Sequence, residues 1–187
     1  MKEEINKACE VLKQGGIILY PTDTVWGIGC DATNEEAVEK IYAIKKREKN
    51  KAMLILVDNS VKVQSYVQDV PDIAWDLIDL ADKPLTIIFD GAKNLAPNLI
   101  SSDGSIGIRV TSEDFSRDLC YRFRKPIVST SANFTGKEAP RNFNEIDPEI
   151  IEMVDYVVTY RQDETANQSP SSILKIGSKG EIQIIRK

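Results

Sequence analysis

Two hydrophobic periods alternate along this chain, and their alternation restricts it to an α/β fold. Apolar residues at helical spacing, such as Ile5, Ala8, Cys9 and Leu12, give way to short apolar runs typical of strands. Because the strands do not all follow a helix, we expect a mixed sheet. The predicted helices are 5–14, a second opened by the capping box Thr33–Glu36, 71–81 and 112–123. The predicted strands are 17–20, 52–57, 84–89, 105–110, 126–132, 155–160 and a C-terminal hairpin that turns at 178–180.

Between these elements the pattern predicts loops and one tight turn. The segments 133–150 and 161–170 are the longest polar stretches and predict loops. The segment "GIGCDA" at 27–32 is interpreted as a tight turn. A length of 187 residues suits one domain, which we expect to cover 1–187.

Composition removes several kinds of chemistry. The chain has no histidine, which excludes histidine triads and most zinc or iron sites. Its three cysteines are far apart and odd in number, which favours reduced thiols over a disulfide framework. There is neither a signal-peptide pattern nor a membrane-spanning apolar run, so we expect a cytoplasmic protein. No protein-only metal site is expected.

A local cluster of cations stands out from a formal net charge of −5. Lys45, Arg47, Lys49 and Lys51 share one parity, so an extended chain would place them on one face, with Lys46 on the other. A joint role therefore requires that the preceding helix has ended. The alternative is a solvated turn.

The same period of two recurs where predicted strands end. It brings together small hydroxyl groups, one amide and one arginine: Thr22 and Thr24, Ser105 and Arg109, and Ser129, Ser131 and Asn133. A solvated strand face shows the same alternation, but it usually carries longer polar side chains. Small donors beside Lys45, Arg47 and Arg109 favour a concave site for a small, polar, phosphorylated ligand.

Two other interpretations compete with this one. The segment 27–32 fits G-x-G-x-x-A, but "PTDTVW" separates it from the preceding strand and no convincing acidic residue closes a βαβ unit. Nucleic-acid binding is the second, carried by the cluster at 45–51 and a basic group at 117–125 (Arg117, Arg122, Arg124 and Lys125). No RNA-binding aromatic motif accompanies these cations, and no Walker A sequence is present.

Several separated motifs resemble the YrdC-like family, the threonylcarbamoyl-AMP synthases. They are "YPTDTVWGIGCDA", "KKRE…KAMLILV", "SIGIRV", "STSANFTG" and "PSSIL…IIR", in family order along nearly the whole chain. The resemblance implies a twisted mixed sheet with flanking helices around a large positively charged cavity, in the short form without an extra C-terminal domain. It further implies condensation of L-threonine, bicarbonate and ATP, with Mg²⁺ brought by the nucleotide, into threonylcarbamoyl-AMP and pyrophosphate. Transferase partners then place the threonylcarbamoyl group on an adenosine of tRNA.

The resemblance also implies roles for individual residues. The K-x-R element falls on Lys45 and Arg47 and the S-x-N element on Ser131 and Asn133, and these four are the candidate catalytic residues. The threonine side would comprise Thr22, Arg109, Ser129, Thr130 and Ser171, and the nucleotide side Lys45, Ser105, Ser131 and Arg186. Glu48 stands where the family commonly has proline, and Ala81-Asp82-Lys83 where it often has W-P-G.

Two further functions stay open at this point. A catalytically silent relative that binds RNA or a nucleotide would keep the basic face without turnover. A structural interaction module would bind neither ligand. A related group with the same fold lacks the K-x-R and S-A-N elements, so their presence here favours the synthase.

Overall fold

The computed structural model describes residues 1–46, 53–166 and 169–187. In those ranges the helices and strands alternate much as the two hydrophobic periods predict. The helices are α1 (Lys2–Lys13), α2 (Glu35–Ile44), α3 (Asp72–Leu80), α4 (Asp114–Phe123) and α5 (Pro148–Met153). The strands are β1 (Ile18–Tyr20), β2 (Gly27–Gly29), β3 (Leu54–Val57), β4 (Leu85–Phe89), β5 (Ile106–Val110), β6 (Ile127–Ser131), β7 (Tyr156–Val157), β8 (Ser172–Ile176) and β9 (Ile182–Arg186).

The strands form one mixed sheet in the order β7-β1-β2-β6-β3-β5-β4-β8-β9. The pairs β1/β7, β3/β5 and β4/β8 are parallel, and the other neighbours are antiparallel. The predicted α/β class with a mixed sheet is therefore confirmed, as is the C-terminal hairpin. Among the described residues, no helix combines the length and the apolar character needed to cross a bilayer.

The two faces of the sheet are covered differently. On one face, strand residues such as Ile28, Ile55 and Val128 pack with α2 and α3 in the larger core. On the other face, Tyr20, Leu56 and Ile127 pack with α1 and α4 in a smaller core. Because paired residues share a face, this second face also carries Gly27, Gly107, Arg109, Ser129 and Ser131. We call this second face of the sheet the site face, because it carries these candidate site residues beside the smaller core.

The prediction of a tight turn at "GIGCDA" is wrong. Gly27–Gly29 is strand β2, which pairs with β1 and β6. Glycine normally weakens a strand, but here its missing side chain allows a close approach. A Cβ at Gly29 would lie 2.7 Å from the carbonyl oxygen of Val128 on β6.

Two helix predictions also need correction. Helix α2 is capped by Asn34, whose side chain accepts from the amide of Ala37, so the cap is not the predicted Thr33. Thr33 instead donates its hydroxyl to Asp31. Helix α5 begins inside the predicted loop 133–150 and extends beyond it to Met153, and Asp147 caps this helix, which begins with Pro148.

Candidate functional site

A cavity of about 210 Å³ opens on the site face at the ends of β2 and β6. Its lining includes Gly27, Leu54 and Thr24 as well as six of the residues predicted from the sequence: Arg109, Ser129, Thr130, Ser131, Ser171 and Arg186. These six come from four separate stretches of the chain. The sheet order brings them together, because β6 lies between β2 and β3 while β5 and β8 flank β4.

Small residues keep this part of the site face open. A Cβ at Gly27 would meet Ser129 Oγ at 3.3 Å, and one at Gly107 would meet Leu54 Cβ at 3.3 Å. Both distances are short for nonbonded contacts, so glycine permits this spacing without displacing neighbours. Replacing the glycines with larger residues would fill the space that the smaller core leaves uncovered.

Arg109 is the buried cation of the cavity, with 4% of its side chain exposed. Its Nε lies 3.0 Å from Asp23 Oδ1, and Nη2 donates to Thr24 Oγ1 at 3.2 Å. Burial raises the pKa of Asp23, and the neighbouring Arg109 charge opposes that rise. Arg109 is thus the charge that compensates a carboxyl group whose ionised form burial disfavours.

Arg186 provides a second positive charge and comes from the last strand. Its Nε donates to the carbonyl oxygen of Ser171 at 2.8 Å. Ser171 Oγ lies 2.8 Å from the hydroxyl of Thr86, so the same residue is tied to β4. Partial burial and the nearby Arg109 lower the pKa of Arg186. The two guanidinium groups are therefore close enough to repel each other electrostatically.

Thr22 lies behind the cavity lining. Its hydroxyl donates to the carbonyl oxygen of Val25 at 2.8 Å and accepts from the amide of Thr24 at 3.1 Å. The two threonine Oγ1 atoms are 3.0 Å apart. Thr22 thus fixes the turn that presents Thr24, and its hydroxyl contacts the site through that neighbour.

Lys45 is buried, with 1% exposure, and lies against the end of β6. Its Nζ donates to the carbonyl oxygens of Ser131 and Asn133, at 2.5 and 2.7 Å. Lys46, by contrast, is exposed, and it pairs with Glu149 and lies over the ring of Phe134.

The extended backbone expected at the basic cluster is wrong at its first two residues. Lys45 is in the right-handed helical region, and Lys46 has a φ of +50°. The two side chains do diverge, but the cause is the helix end rather than strand alternation. Arg47, Lys49, Lys51 and Glu48 lie outside the described residues.

Asn133 and Ser105 have other partners within the chain. Asn133 Nδ2 donates to the carbonyl oxygens of Phe134 and Lys137, and its Oδ1 is buried. Asn133 lines a neighbouring cavity of about 410 Å³ rather than the one that contains Arg109. Ser105 donates its hydroxyl to Asp103 at 2.6 Å, at the start of β5.

Comparison with known proteins decides the family. The model of the Sua5, YciO and YrdC family, described as telomere recombination, matches residues 10–187. The chain belongs to this family.

Relatives of this Sua5/YciO/YrdC protein carry one activity in their names. A protein of Methanocaldococcus jannaschii, to which threonylcarbamoyl-AMP synthase activity is ascribed, is 39% identical over 94% of this chain and 83% of its own. The threonylcarbamoyl-AMP synthase of Pseudoalteromonas translucida is 36% identical over 90% of this chain and 91% of its own. The resemblance recognised in the sequence is therefore confirmed.

Solved structures support the family fold. E. coli YciO superposes with a TM-score of 0.87 at 24% identity, over 100% of this chain and 90% of that one. P. abyssi Sua5 complexed with L-threonine gives a TM-score of 0.82 at 19% identity, over 92% of this chain. This chain spans 50% of that Sua5 chain. The large positively charged cavity of the family stays a prediction, as does a single domain over 1–187.

The residues that line the cavity do not fit a metal held by the protein alone. The described ranges contain no group of three or more acidic or cysteine side chains arranged to bind an ion. Magnesium prefers carboxylate oxygens, and the described residues that line the cavity include no aspartate or glutamate.

The sequence patterns did not indicate one site residue, Asp23. Asp23 and Thr24 both contact Arg109, and Thr24 was expected beside Thr22 among the small hydroxyl groups but without a role of its own. The available signal was a single acid between two hydroxyl residues, within the otherwise apolar stretch 17–30. An acid in such a stretch needs a cation as partner, and Arg109 is the arginine of the alternating strand.

Proposed function

We propose that this protein is an L-threonylcarbamoyladenylate synthase. The observation that carries the proposal is the convergence of Arg109, Arg186 and the Ser129–Ser131 hydroxyls on one cavity. Relatives of 36–39% identity that are named for this activity support it. We further propose that the product serves the threonylcarbamoyladenosine modification of tRNA, through transferase partners.

The chemistry explains why cations and small hydroxyls suffice. Threonine's amine captures carbon dioxide as a carbamate, and a carbamate oxygen then attacks the α-phosphorus of ATP and expels pyrophosphate. The carbamate and the triphosphate are both anionic, so positive charge must offset their repulsion. Hydroxyl groups fix the orientation of the reacting groups, and the scheme requires no histidine base.

We assign roles from the family resemblance, together with the position of each described residue relative to the cavity. Arg109 binds the threonine carboxylate, with the hydroxyl groups of Ser129, Thr130 and Ser171 around it, and Thr22 supports the turn that presents Thr24. Arg186 and Ser131 meet the nucleotide. Lys45, from its buried position beside the Ser131 carbonyl, and Arg47 add positive charge. Ser105 and Asn133 act from further away, as their partners Asp103 and Lys137 indicate.

The basic group at 117–125 favours this proposal over nucleic-acid binding. Arg117 pairs with Asp114 and Asp118, and Lys125 pairs with Asp31. Cations with acidic neighbours attract a phosphate backbone weakly. The second candidate function, a catalytically silent RNA- or nucleotide-binding relative, therefore has less support.

Pyrophosphate release tests the proposal. The purified protein, supplied with ATP, magnesium and bicarbonate, should release pyrophosphate only when L-threonine is added, and the adenylate product is identified by mass. Ser131→Ala should reduce this turnover, whereas Ser116→Ala should retain it. Ser116 is also a buried serine, but it lies on α4 and bonds Thr111. Nucleotide binding without threonine-dependent release would instead indicate the silent relative.

A further inference from the structure

The contacts of Arg109 divide its guanidinium group into a used edge and a free edge. Nε and Nη2 lie on the same side of the group, and these two atoms contact Asp23 and Thr24. No hydrogen bond of Nη1 is found among the described residues, and Arg109 lines the cavity. We propose that Asp23 is a positioning residue, which holds the Nη1–Nη2 edge of Arg109 toward the cavity.

Burial gives Asp23 this role. Only 5% of the Asp23 side chain and 4% of the Arg109 side chain are exposed. Neither carboxylate oxygen has a hydrogen-bond partner of good geometry within the described ranges, and Arg109 is the cation that lies within ion-pair distance. A buried carboxylate is costly unless it is paired, so this group is retained against Arg109.

The turn that carries Asp23 is itself fixed. Thr22 on one side bonds the amide of Thr24 and the carbonyl of Val25, and both threonines are buried. The Asp23 backbone therefore has little freedom, and its carboxylate lies at a defined distance from β5. Rigid support of this kind is what an orienting residue needs.

The free edge defines the ligand chemistry. The Nη1–Nη2 edge can grip a carboxylate through two parallel hydrogen bonds. This step rests on the proposed function, in which the ligand is the carboxylate of L-threonine. Arg186 is the other cation close enough to affect Arg109. The Asp23 charge offsets their mutual repulsion and keeps Arg109 directed inward.

The test compares two buried carboxylates. Asp23→Asn should raise the KM for L-threonine by about 10- to 100-fold, the range for weakening a charge-assisted hydrogen bond between Arg109 and the threonine carboxylate, while the KM for ATP and kcat change far less. Asp31→Asn is the matched control. Asp31 is similarly buried and pairs with Lys125, but it lies outside the cavity lining. It should lower thermal stability without changing the KM for threonine.

A second variant retains the charge and removes only the other anchor. Thr24→Val should raise the KM for threonine by about fivefold or more, as expected for losing one hydrogen bond from the Arg109 guanidinium to a hydroxyl group. If Asp23→Asn does not fold, the KM of Thr24→Val tests whether contacts on the Nε–Nη2 edge orient Arg109. Equal KM changes in Asp23→Asn and Asp31→Asn, or an unchanged KM in Asp23→Asn or Thr24→Val, would overturn the proposal.

A readout without turnover separates this proposal from the proposed function. The Arg109 Nε–H signal in a ¹H–¹⁵N spectrum should shift and exchange faster with solvent in Asp23→Asn, but not in Asp31→Asn. A wild-type protein that neither binds threonine nor releases pyrophosphate would refute the function, and this signal would still decide whether Asp23 orients Arg109. An unchanged signal would refute the positioning role.

Discussion

Adjacent lysines at the end of α2 have opposite environments. The Lys45 ammonium is buried on two carbonyl oxygens, whereas Lys46 is exposed and pairs with Glu149. Lys45→Ala should remove at least about 2 kcal/mol of stability because it leaves two buried acceptors unsatisfied, and Tm should fall by roughly 4–8 °C. Threonine-dependent turnover should fall about tenfold or more, since the end of β6 loses its support and the site loses a charge.

Lys46→Ala is the neighbouring control and should leave both quantities nearly unchanged, because exposed ion pairs contribute about 0–1 kcal/mol. The measurements are pyrophosphate release and thermal unfolding of both variants. Equal losses of turnover and Tm in the two variants would show that the buried contacts of Lys45 contribute no more than the exposed contacts of Lys46.

Ser105 sets the titration of an acid at the start of β5. Its hydroxyl and amide both donate to Asp103, and Lys175 pairs with the same carboxylate, so the pKa of Asp103 falls to about 2. A depressed folded pKa favours the native state when the group is ionised. This contribution is present above the unfolded pKa of about 3.9 and is lost as the pH falls toward about 2.

Ser105→Ala should therefore raise the pKa of Asp103 toward its ordinary value, as measured by NMR titration of the carboxyl carbon. The acid unfolding midpoint should move to higher pH. An Asp103 that still titrates near 2 would show that Lys175 alone determines the pKa.

At the scale of elements, hydrophobic period and position explain which predictions succeed. Helices α1 and α4 and strands β3 to β6 have long or strongly apolar patterns, so the sequence alone locates them. Strand β2 consists of two glycines around one isoleucine, and α5 has six residues, so neither has a local pattern that outweighs its turn-like composition. Their formation depends on tertiary pairing and on the Asp147 cap.

The same limit applies to the site. Sequence parity places Arg109, Ser129 and Ser131 on one face of the sheet, because successive side chains of a strand point to opposite faces. Asn133 lies two residues beyond the end of β6, where parity no longer holds, and its amide bonds the following turn instead. Asp23 lies in a turn, and only the folded chain reveals its contact with Arg109.

The glycines of β2 differ in what an added methyl group would meet. At Gly29 a Cβ would lie 2.7 Å from Val128 O, whereas at Gly27 the nearest atom is Ser129 Oγ at 3.3 Å. Gly29→Ala should cost about 1–3 kcal/mol or more, because a backbone group must shift. Gly27→Ala should leave stability nearly intact but raise the KM for threonine, because its methyl group enters the cavity.

Thermal unfolding and threonine kinetics of the two alanine variants check this prediction. A Gly27→Ala protein with normal kinetics would place the ligand away from β2. A stable Gly29→Ala protein would show that β2 and β6 can separate without loss.

At the scale of the whole molecule, Arg161 joins three regions distant in sequence. It donates to the carbonyl of Thr22, pairs with Glu113 at the start of α4, and pairs with Glu164. Arg161→Ala should lower stability by about 1–3 kcal/mol, which corresponds to roughly 2–12 °C in Tm. Arg117→Ala removes an arginine that pairs with two exposed acids, and should change Tm little.

Differential scanning calorimetry of the two variants gives the comparison. Because Arg161 supports the turn that carries Asp23, its loss should also raise the KM for threonine at a permissive temperature. Equal Tm values for both variants would show that Arg161 is no more than a surface ion pair.

The strand order has a consequence for how the molecule is made. Strand β1 pairs with β7, β2 with β6, and β4 with β8, so partners are separated by roughly 90 to 140 positions along the chain. Long separations slow folding, because the entropy of closing large loops is lost before the contacts form. During synthesis, the edges of β1 and β4 that pair with β7 and β8 stay exposed until the last third of the chain has left the ribosome. Newly made chains are therefore most prone to aggregate just before β7 and β8 emerge.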